Sequence, residues 1–569
     1  MNPTKAQQQA IDSDSGNILT IAGAGSGKTA TLTARIQRLV SEGVSPSSIL
    51  CLTFTRKAAN ELKERLAKLI GSSSSKKIWA GTFHSISYRI LSQWGSKIGY
   101  QTDSGKSITV ITPEESDDLL KEIIRAYDYA GTLKSISEAR SVLAHDGTEP
   151  EDLNIKRIIG EYHARLKECN AVDFDLLLLE VQKLFKACPA ALEFYQTKFD
   201  HIFVDEYQDT DQVQYNLHEV LKPKHLFCVG DSDQAIYGWR GANIGIILAF
   251  GTAHAGAEVI KLEECFRCAD VIVSRANSLI EHNESRIEKT LIGATGNEGV
   301  FEVALDSSPE FVAEYISEFM AFEDPKEIAV IGRTHRTLEA IERACMDKHL
   351  NVLRVGKATA EIEAAESFKF MRAYLRLAMN SRDNIAFLTA NRIGFRQDLK
   401  EIWQYANNHG CSWYEAYGDT APITPEQDLI GFYEETCAYL EMEPETKVVE
   451  YLQENWPGIT ADDWLTEFAL KDNQLELEKT QLDPKITLIT AHAAKGLEWD
   501  NVLVVDFDEG KFPSKMALKS NNLEEERRLA YVAFTRARNR LLIFRNAEKV
   551  PSRFIAESSG HASRLNLAA

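Results

Sequence analysis

The sequence predicts an α/β protein with two parallel-sheet cores, each interrupted by a helical insertion. Three observations carry this. Short apolar segments suited to strands alternate with helical stretches at 18–22, 49–54, 78–82, 201–204 and 226–230, the pattern of a parallel sheet with helices on both faces. A second series follows at 258–262, 301–306, 327–332, 486–490, 502–505 and 541–545. Two long stretches, 95–195 and 365–480, instead read as mostly helical, with a Ser-rich turn at 71–75 upstream of the first and turns at Asn407–Gly410 and Pro457-Gly458 within the second. A length of 569 residues fits several domains. The predicted division is 1–94 with 196–262 as the first core, 95–195 as its insertion, 263–385 with 481–569 as the second core, and 386–480 as a smaller second insertion.

Composition bounds the partners. Apolar residues make up 44% and charged residues 26%, ordinary for a globular chain. No run of about 18 apolar residues occurs, so no spanning helix is predicted, and Met1–Lys5 leads into polar residues rather than a signal core. The nine cysteines have no framework spacing. Cys265 and Cys268 form a C-x-x-C pair without a second pair or histidines at ligand spacing, so free thiols in a reducing cytoplasm are predicted. The net charge of −20 argues, by itself, against a nucleic-acid partner. A bulk count has no positional information, and a local basic or aromatic groove suffices for a motor that grips and releases its track.

The first element, the apolar strand 18–22, runs into Ala22-Gly23-Ala24-Gly25-Ser26-Gly27-Lys28-Thr29 and then a helical stretch from Ala30. Strand, glycine loop and helix in this order predict a phosphate-binding loop. The glycines admit phosphate to the backbone N–H groups, and the helix N-terminus favours the anion. Lys28 is positioned for the β- and γ-phosphates and Thr29 for Mg²⁺. The strand at 201–204 ends in Asp205-Glu206, which suits Mg²⁺ binding by Asp205 and activation of the attacking water by Glu206. The strand at 226–230 leads into Asp231–Ala242, where Gln234 is a candidate γ-phosphate sensor. Tyr237 and Trp239 are candidates for stacking on unpaired bases. ATP and Mg²⁺ are the predicted cofactors.

With these segments the chain resembles the superfamily 1 helicases of the UvrD/Rep/PcrA group. Further motifs follow in that family's order: Lys5–Ile11, Leu52–Ala59, Gly81–Ser85, Val172–Leu177, Leu262–Arg267, Thr490–Trp499 and Glu524–Ala537. The resemblance implies two RecA-like motor domains in a 1A/1B/2A/2B arrangement. It implies that Gln7 reads adenine, Phe266 stacks on it and Glu498 meets the ribose. It implies that Arg267 and Arg536 are arginine fingers from the second core. It also implies DNA contacts by Phe54, Thr82, His84, Arg240 and His492 beside Tyr237 and Trp239. Phe266 stands where tyrosine is common in that family, and Ala30 where a basic residue often follows the loop.

The implied activity is ATP-driven 3′→5′ movement on single-stranded DNA with duplex unwinding, acting at single/double-strand junctions, with no membrane role and an unidentified loading partner. Asn391-Arg392-Ile393-Gly394 resembles a degraded form of the family's duplex-contacting turn, and the second insert is short. That shortness motivates an alternative, a translocase that strips proteins and unwinds poorly. A DNA-binding subunit using ATP only as a switch is a further alternative. No nuclease signature follows residue 540.

Overall fold

The computed structural model describes residues 3–102, 107–323, 327–356, 362–418, 428–456, 458–461, 464, 465, 468, 485–520 and 522–559. The first sheet contains β1 (Asn17–Ala22), β2 (Ile49–Thr53), β3 (Trp79–Thr82), β4 (His201–Val204), β5 (His225–Gly230) and β6 (Glu258–Leu262), in the order β3-β2-β4-β5-β1-β6. Every pairing is parallel. The inner strands β2 and β4 are buried along their whole length because helices cover both faces. Register places Ile21 opposite Gly230 and Ala22 opposite Leu262, so the glycine loop leaves the sheet centre flanked by two strand ends.

The segment 258–262, named with the second strand series but inside the predicted first core (196–262), is the edge of the first sheet. Its burial alternates, with Ile260 and Leu262 inward, as befits a strand covered on one side only. Its place beside β1 comes from a tertiary pairing that strand spacing does not encode.

The second sheet contains β7 (Val300–Ala304), β8 (Ile328–Gly332), β9 (Val352–Arg354), β10 (Ile486–Thr490), β11 (Trp499–Val504) and β12 (Ala537–Phe544), in the order β7-β12-β11-β8-β10-β9. It too is wholly parallel. The edge strand β9 escapes sequence reading because it is three residues long and only half-buried. The Ser-rich segment read as a turn is a one-turn helix, Ser72–Ser75. Gly71, at φ 81°, ends the preceding helix Arg56–Ile70 and lets the chain restart.

Helices Pro113–Ala126, Leu133–Asp146, Leu153–Glu168, Phe174–Ala187 and Pro189–Lys198 fill the region of the first insertion. Side-chain caps at Thr112, Thr132, Asp152 and Asp173 start four of them. Their apolar faces share one core with a face of the first sheet. A second helical layer packs around Phe368, Phe370, Tyr374, Phe387, Phe395 and Trp464. It includes helix Glu366–Met379, ahead of the expected start at 386. The expected turn at Asn407–Gly410 is the end of helix Leu399–His409, closed by left-handed Gly410. Pro457 of the other expected turn, and the expected insert's last stretch at 469–480, lie outside the described residues.

The two helical layers meet through a buried polar network. The Arg376 guanidinium reaches both carboxylate oxygens of Glu115 at 2.7 Å and also pairs with Asp383. Asp383 accepts a further hydrogen bond from Thr109 Oγ1 at 2.7 Å. Among the described residues no helix is long and apolar enough to cross a membrane.

Candidate nucleotide site and nucleic-acid face

The loop after β1 is built for close approach. Gly25 has φ 70°, and a Cβ there would stand 2.5 Å from Arg267 Cβ. Gly27 caps helix Lys28–Ser41 in the left-handed region, φ 81°. The helix N-terminus therefore opens onto the loop with no side chain over it. Lys28 and Thr29 are its first two residues.

Lys28 Nζ lies 3.2 Å from both carboxylate oxygens of Glu206. Glu206 follows β4 with a left-handed backbone, φ 51° and ψ 45°, uncommon for a non-glycine residue and found at functional turns. Burial opposes charge on Glu206, but Lys28, Lys495 and a hydrogen bond from Gln208 outweigh it and hold its pKa low. The neighbouring Asp205 goes the other way: burial and the Glu206 charge push its carboxyl up. A buried carboxyl in that state favours a nearby cation. Among the described residues no three or more His, Cys, Asp or Glu side chains cluster as a metal site. A Mg²⁺ ion here therefore needs phosphate oxygens and water to complete oxygen coordination by Thr29 and Asp205, as Mg²⁺ in phosphate sites does.

The second lobe closes the cavity. The loop Gly23–Ala30, Asp205, Glu206, Gln234, Phe266, Arg267, Glu498 and Arg536 line one space of about 480 Å³, well within the range of small-molecule sites. Phe266 donates its backbone N–H to Gly25 O at 3.0 Å and leaves its ring 38% exposed. Arg267 pairs with Glu498, which also takes Arg538 Nε at 3.2 Å. Arg536 is 1% exposed and donates to the carbonyls of Val532 at 2.9 Å and Leu497 at 3.0 Å. Burial and the nearby Arg267 lower its pKa to about 10, so it remains charged.

Gln7 stands apart from the cavity lining. Its Oε1 accepts from Thr4 N at 2.9 Å and its Nε2 donates to Ser26 O at 2.9 Å, so its amide braces the loop. The Gln234 amide donates to Asp231 at 2.7 Å.

Sequence reasoning missed Lys495, Asp209 and Gln208. Lys495 crosses from the second lobe to pair with Asp209 and donates to Gln234 O at 2.9 Å. Gln208 joins Glu206 and Asp209 to the strand end at Asp231, whose N–H it accepts at 2.8 Å. Lys495 lies inside the quoted segment Thr490–Trp499, and Asp209 lies three residues past Glu206. Only the fold reveals that they touch.

Beside this cavity runs an aromatic row. Phe54 stacks on Tyr237 (centroids 5.1 Å apart), Tyr237 meets Trp239 edge-on at 6.5 Å, and Trp239 meets His492 at 6.0 Å. Trp239 is 57% exposed, while Tyr237 is buried and donates its hydroxyl to His492 O at 3.3 Å. Arg240 lies over the Trp239 ring at 5.4 Å. On the first-lobe side a pocket holds Phe54, Thr82, His84, Tyr237 and Arg240. On the second-lobe side a cavity of about 600 Å³ holds Trp239, Arg333 and His492.

Thr82 Oγ1 accepts from Ser85 N at 3.1 Å, which fixes the start of helix Phe83–Trp94 and leaves its O–H as a donor. His84 stacks on Phe174 at 3.5 Å. Burial, with His145 and Arg240 nearby, pushes its pKa well down. Burial, with Arg333 and Lys495, lowers His492 to about 3. Both imidazoles are neutral at pH 7 and can offer hydrogen bonds but no charge.

Two parallel-sheet lobes, a phosphate loop on one, and arginines of the other facing it across one cavity define a two-lobed P-loop NTPase of the RecA-like class. Comparison with known proteins narrows the class. Residues 3–255 match the UvrD/REP helicase N-terminal domain, and residues 260–402 and 429–548 match the UvrD-like helicase C-terminal domain. An ATP-dependent DNA helicase PcrA from Staphylococcus aureus (strain Mu50) is 30% identical over 632 aligned positions, covering 97% of this chain and 85% of that protein. The PcrA of Staphylococcus epidermidis (strain ATCC 35984) is 31% identical, covering 98% and 86%. The chain belongs to the UvrD/REP helicase family.

Proposed function

We propose that this helicase is driven by ATP and moves 3′→5′ along single-stranded DNA, unwinding duplex at single/double-strand junctions. The observation that carries the reading is the shared cavity, where the glycine loop of one lobe faces Arg267 and Arg536 of the other. Arginines that reach the transferring phosphoryl only across a seam make hydrolysis depend on lobe closure. Direction of travel comes from family likeness alone.

Lys28 is held by Glu206 in this structure. Triphosphate draws Lys28 to its β- and γ-oxygens, and Glu206, a low-pKa carboxylate, is then released to orient and deprotonate water. Thr29 and Asp205 would hold Mg²⁺, which shields the phosphate charge when bound. Phe266 offers its exposed ring to the base and Glu498 its carboxylate to the ribose. Gln7 acts on the base less directly, through the loop it braces.

On the other side of the seam, bases stack against Trp239 and against the Phe54–Tyr237 pair. Thr82, His84, Arg240 and His492 supply donors to the strand. Lys495 touches both the acid cluster and the Tyr237 ring, at 4.9 Å, so closure is felt at the row. The free cysteines fit a reducing cytoplasm. A strand-displacement assay with 3′- or 5′-tailed duplexes tests the reading. Displacement of the 3′-tailed substrate alone, dependent on ATP, is expected; displacement of the 5′-tailed substrate alone refutes the polarity. DNA-stimulated phosphate release without displacement on either substrate favours the protein-stripping translocase.

A further inference from the structure

We infer that Cys265 and Cys268 are an oxidation site, closing a reversible disulfide that displaces Arg267 from the nucleotide cavity; this rests on the hydrolysis proposed above. The pair brackets Phe266 and Arg267. The Cys268 backbone N–H donates to Cys265 Sγ at 3.4 Å. The Cys268 thiol also donates to Thr535 O at 3.5 Å, and Arg267 donates to the same carbonyl at 3.5 Å. Cys265 lies under the phosphate loop: a Cβ on Gly25 would stand 3.1 Å from its Sγ. The turn carrying Arg267 is thus fastened to both lobes through the atoms that a disulfide draws together.

Cys265 is also the reactive member. The Cys268 thiol hydrogen bond, assisted by backbone N–H groups and Arg267, outweighs burial and brings Cys265 to about 6. Burial pushes Cys51, Cys169 and Cys345 upward instead. No third metal-ligating side chain joins the pair among the described residues, so a dithiol rather than a metal site is present. Both thiols are buried in a cluster that includes Ala24, Ile236 and Tyr237 of the first lobe.

The oxidant is a peroxide. The Cys265 thiolate attacks one oxygen of hydrogen peroxide, the O–O bond breaks, and a sulfenic acid forms as hydroxide leaves and takes up, as water, the proton that the Cys265 thiol gave up. The Cys268 sulfur then attacks Cys265 sulfur, the S–S bond forms, the S–O bond breaks, and a second water leaves with the Cys268 proton. Two thiols lose two electrons and the peroxide gains them.

The test uses the full chain, reduced with dithiothreitol and then exposed to hydrogen peroxide. Peptide mass mapping reads a 265–268 link, and DNA-stimulated phosphate release is followed before oxidation, after it, and after re-reduction. The link is expected to form, turnover to fall about 100-fold as for loss of a transition-state donor, and dithiothreitol to restore it. Cys265→Ser and Cys268→Ser, each alone, are expected to abolish the link and the reversible loss. Absence of the link, a link that leaves turnover unchanged, or serine variants that are reversibly inactivated like the parent overturns the inference. A reduced protein that releases no phosphate sinks the motor reading instead. The mass map and the affinity for a fluorescent ADP analogue, expected to weaken on oxidation, then decide the thiol pair.

Discussion

Replacing Trp239 with alanine isolates the stacking platform from the nucleotide chemistry. Trp239 is 57% exposed. An indole side chain presents up to about 250 Å², so roughly 140 Å² is open. A base lying on one face covers about half of that, roughly 70 Å². At about 25 cal/mol per Å² this is worth about 1.8 kcal/mol, inside the 1–3 kcal/mol of a base on an aromatic ring. The expected result is a roughly 20-fold weaker Kd for a fluorescent oligothymidylate, read by anisotropy at fixed salt. Trp239→Phe recovers most of it. The slope of log Kd against log salt stays unchanged, because no cation is removed. A Kd within threefold of the parent, or a salt slope that drops, refutes stacking at Trp239.

Three other perturbations read separate parts of the molecule. Lys28→Ala removes the cation at the phosphate loop, and phosphate release is expected to fall by about 100-fold or more; near-normal turnover contradicts the loop's role. Arg536→Lys keeps a buried charge near Val532 O and Leu497 O but loses the guanidinium fork; turnover is expected to drop with nucleotide affinity retained, as measured with a fluorescent ADP analogue. Arg376→Ala leaves Glu115 and Asp383 buried without their partner, and chemical denaturation is expected to report about 3–5 kcal/mol of lost stability. Glu115 reads the same network through pH. Burial raises its pKa, but Arg376 and Arg372 overcome this and depress it from 4.5 to about 2. A depressed folded pKa stabilises above the unfolded value, so the advantage over Glu115→Gln is complete above about pH 4.5 and fades as pH falls toward about 2. An advantage independent of pH across that window contradicts the pairing.

The parallel sheets were legible because their strands are buried on both faces and read as apolar and β-branched runs, as in Ile49–Thr53 and Ile486–Thr490. Glu258–Leu262 was read as a strand but grouped with the second series, and the edge strand Val352–Arg354 is too short and half-exposed to stand out. At the site, the locally read segments, the glycine loop and Asp205-Glu206, line one cavity. Contacts between segments were hidden. Gln7, expected at the base, lies outside the cavity lining, and its amide serves the helix cap and the loop. Lys495 belongs to a quoted motif, yet its pairing with Asp209, 286 positions away in sequence, exists only in the fold.

The acidic balance of the chain is reconciled with a nucleic-acid track by where the acids lie. Asp231 and Asp233 are buried against Lys289 and Arg286. Asp209 is tied to Lys495, Glu526 to Arg333 at 2.7 Å, and Asp211 to His145 at 2.9 Å. Burial opposes the His145 charge, but Asp211 overcomes it and raises the pKa. Asp209 and Asp211 line the first-lobe pocket of the row and Glu526 the second-lobe cavity, each paired by a base of this chain, while Glu525 in that second cavity accepts from Gly238 N–H and Asn522. On the track proposed above, a phosphate strand would meet Arg240, the neutral donors of Thr82, His84 and His492, and an exposed indole. Net charge counts the surface far from the seam. Grip is decided at the seam, where stacking does not depend on charge and survives an acidic exterior.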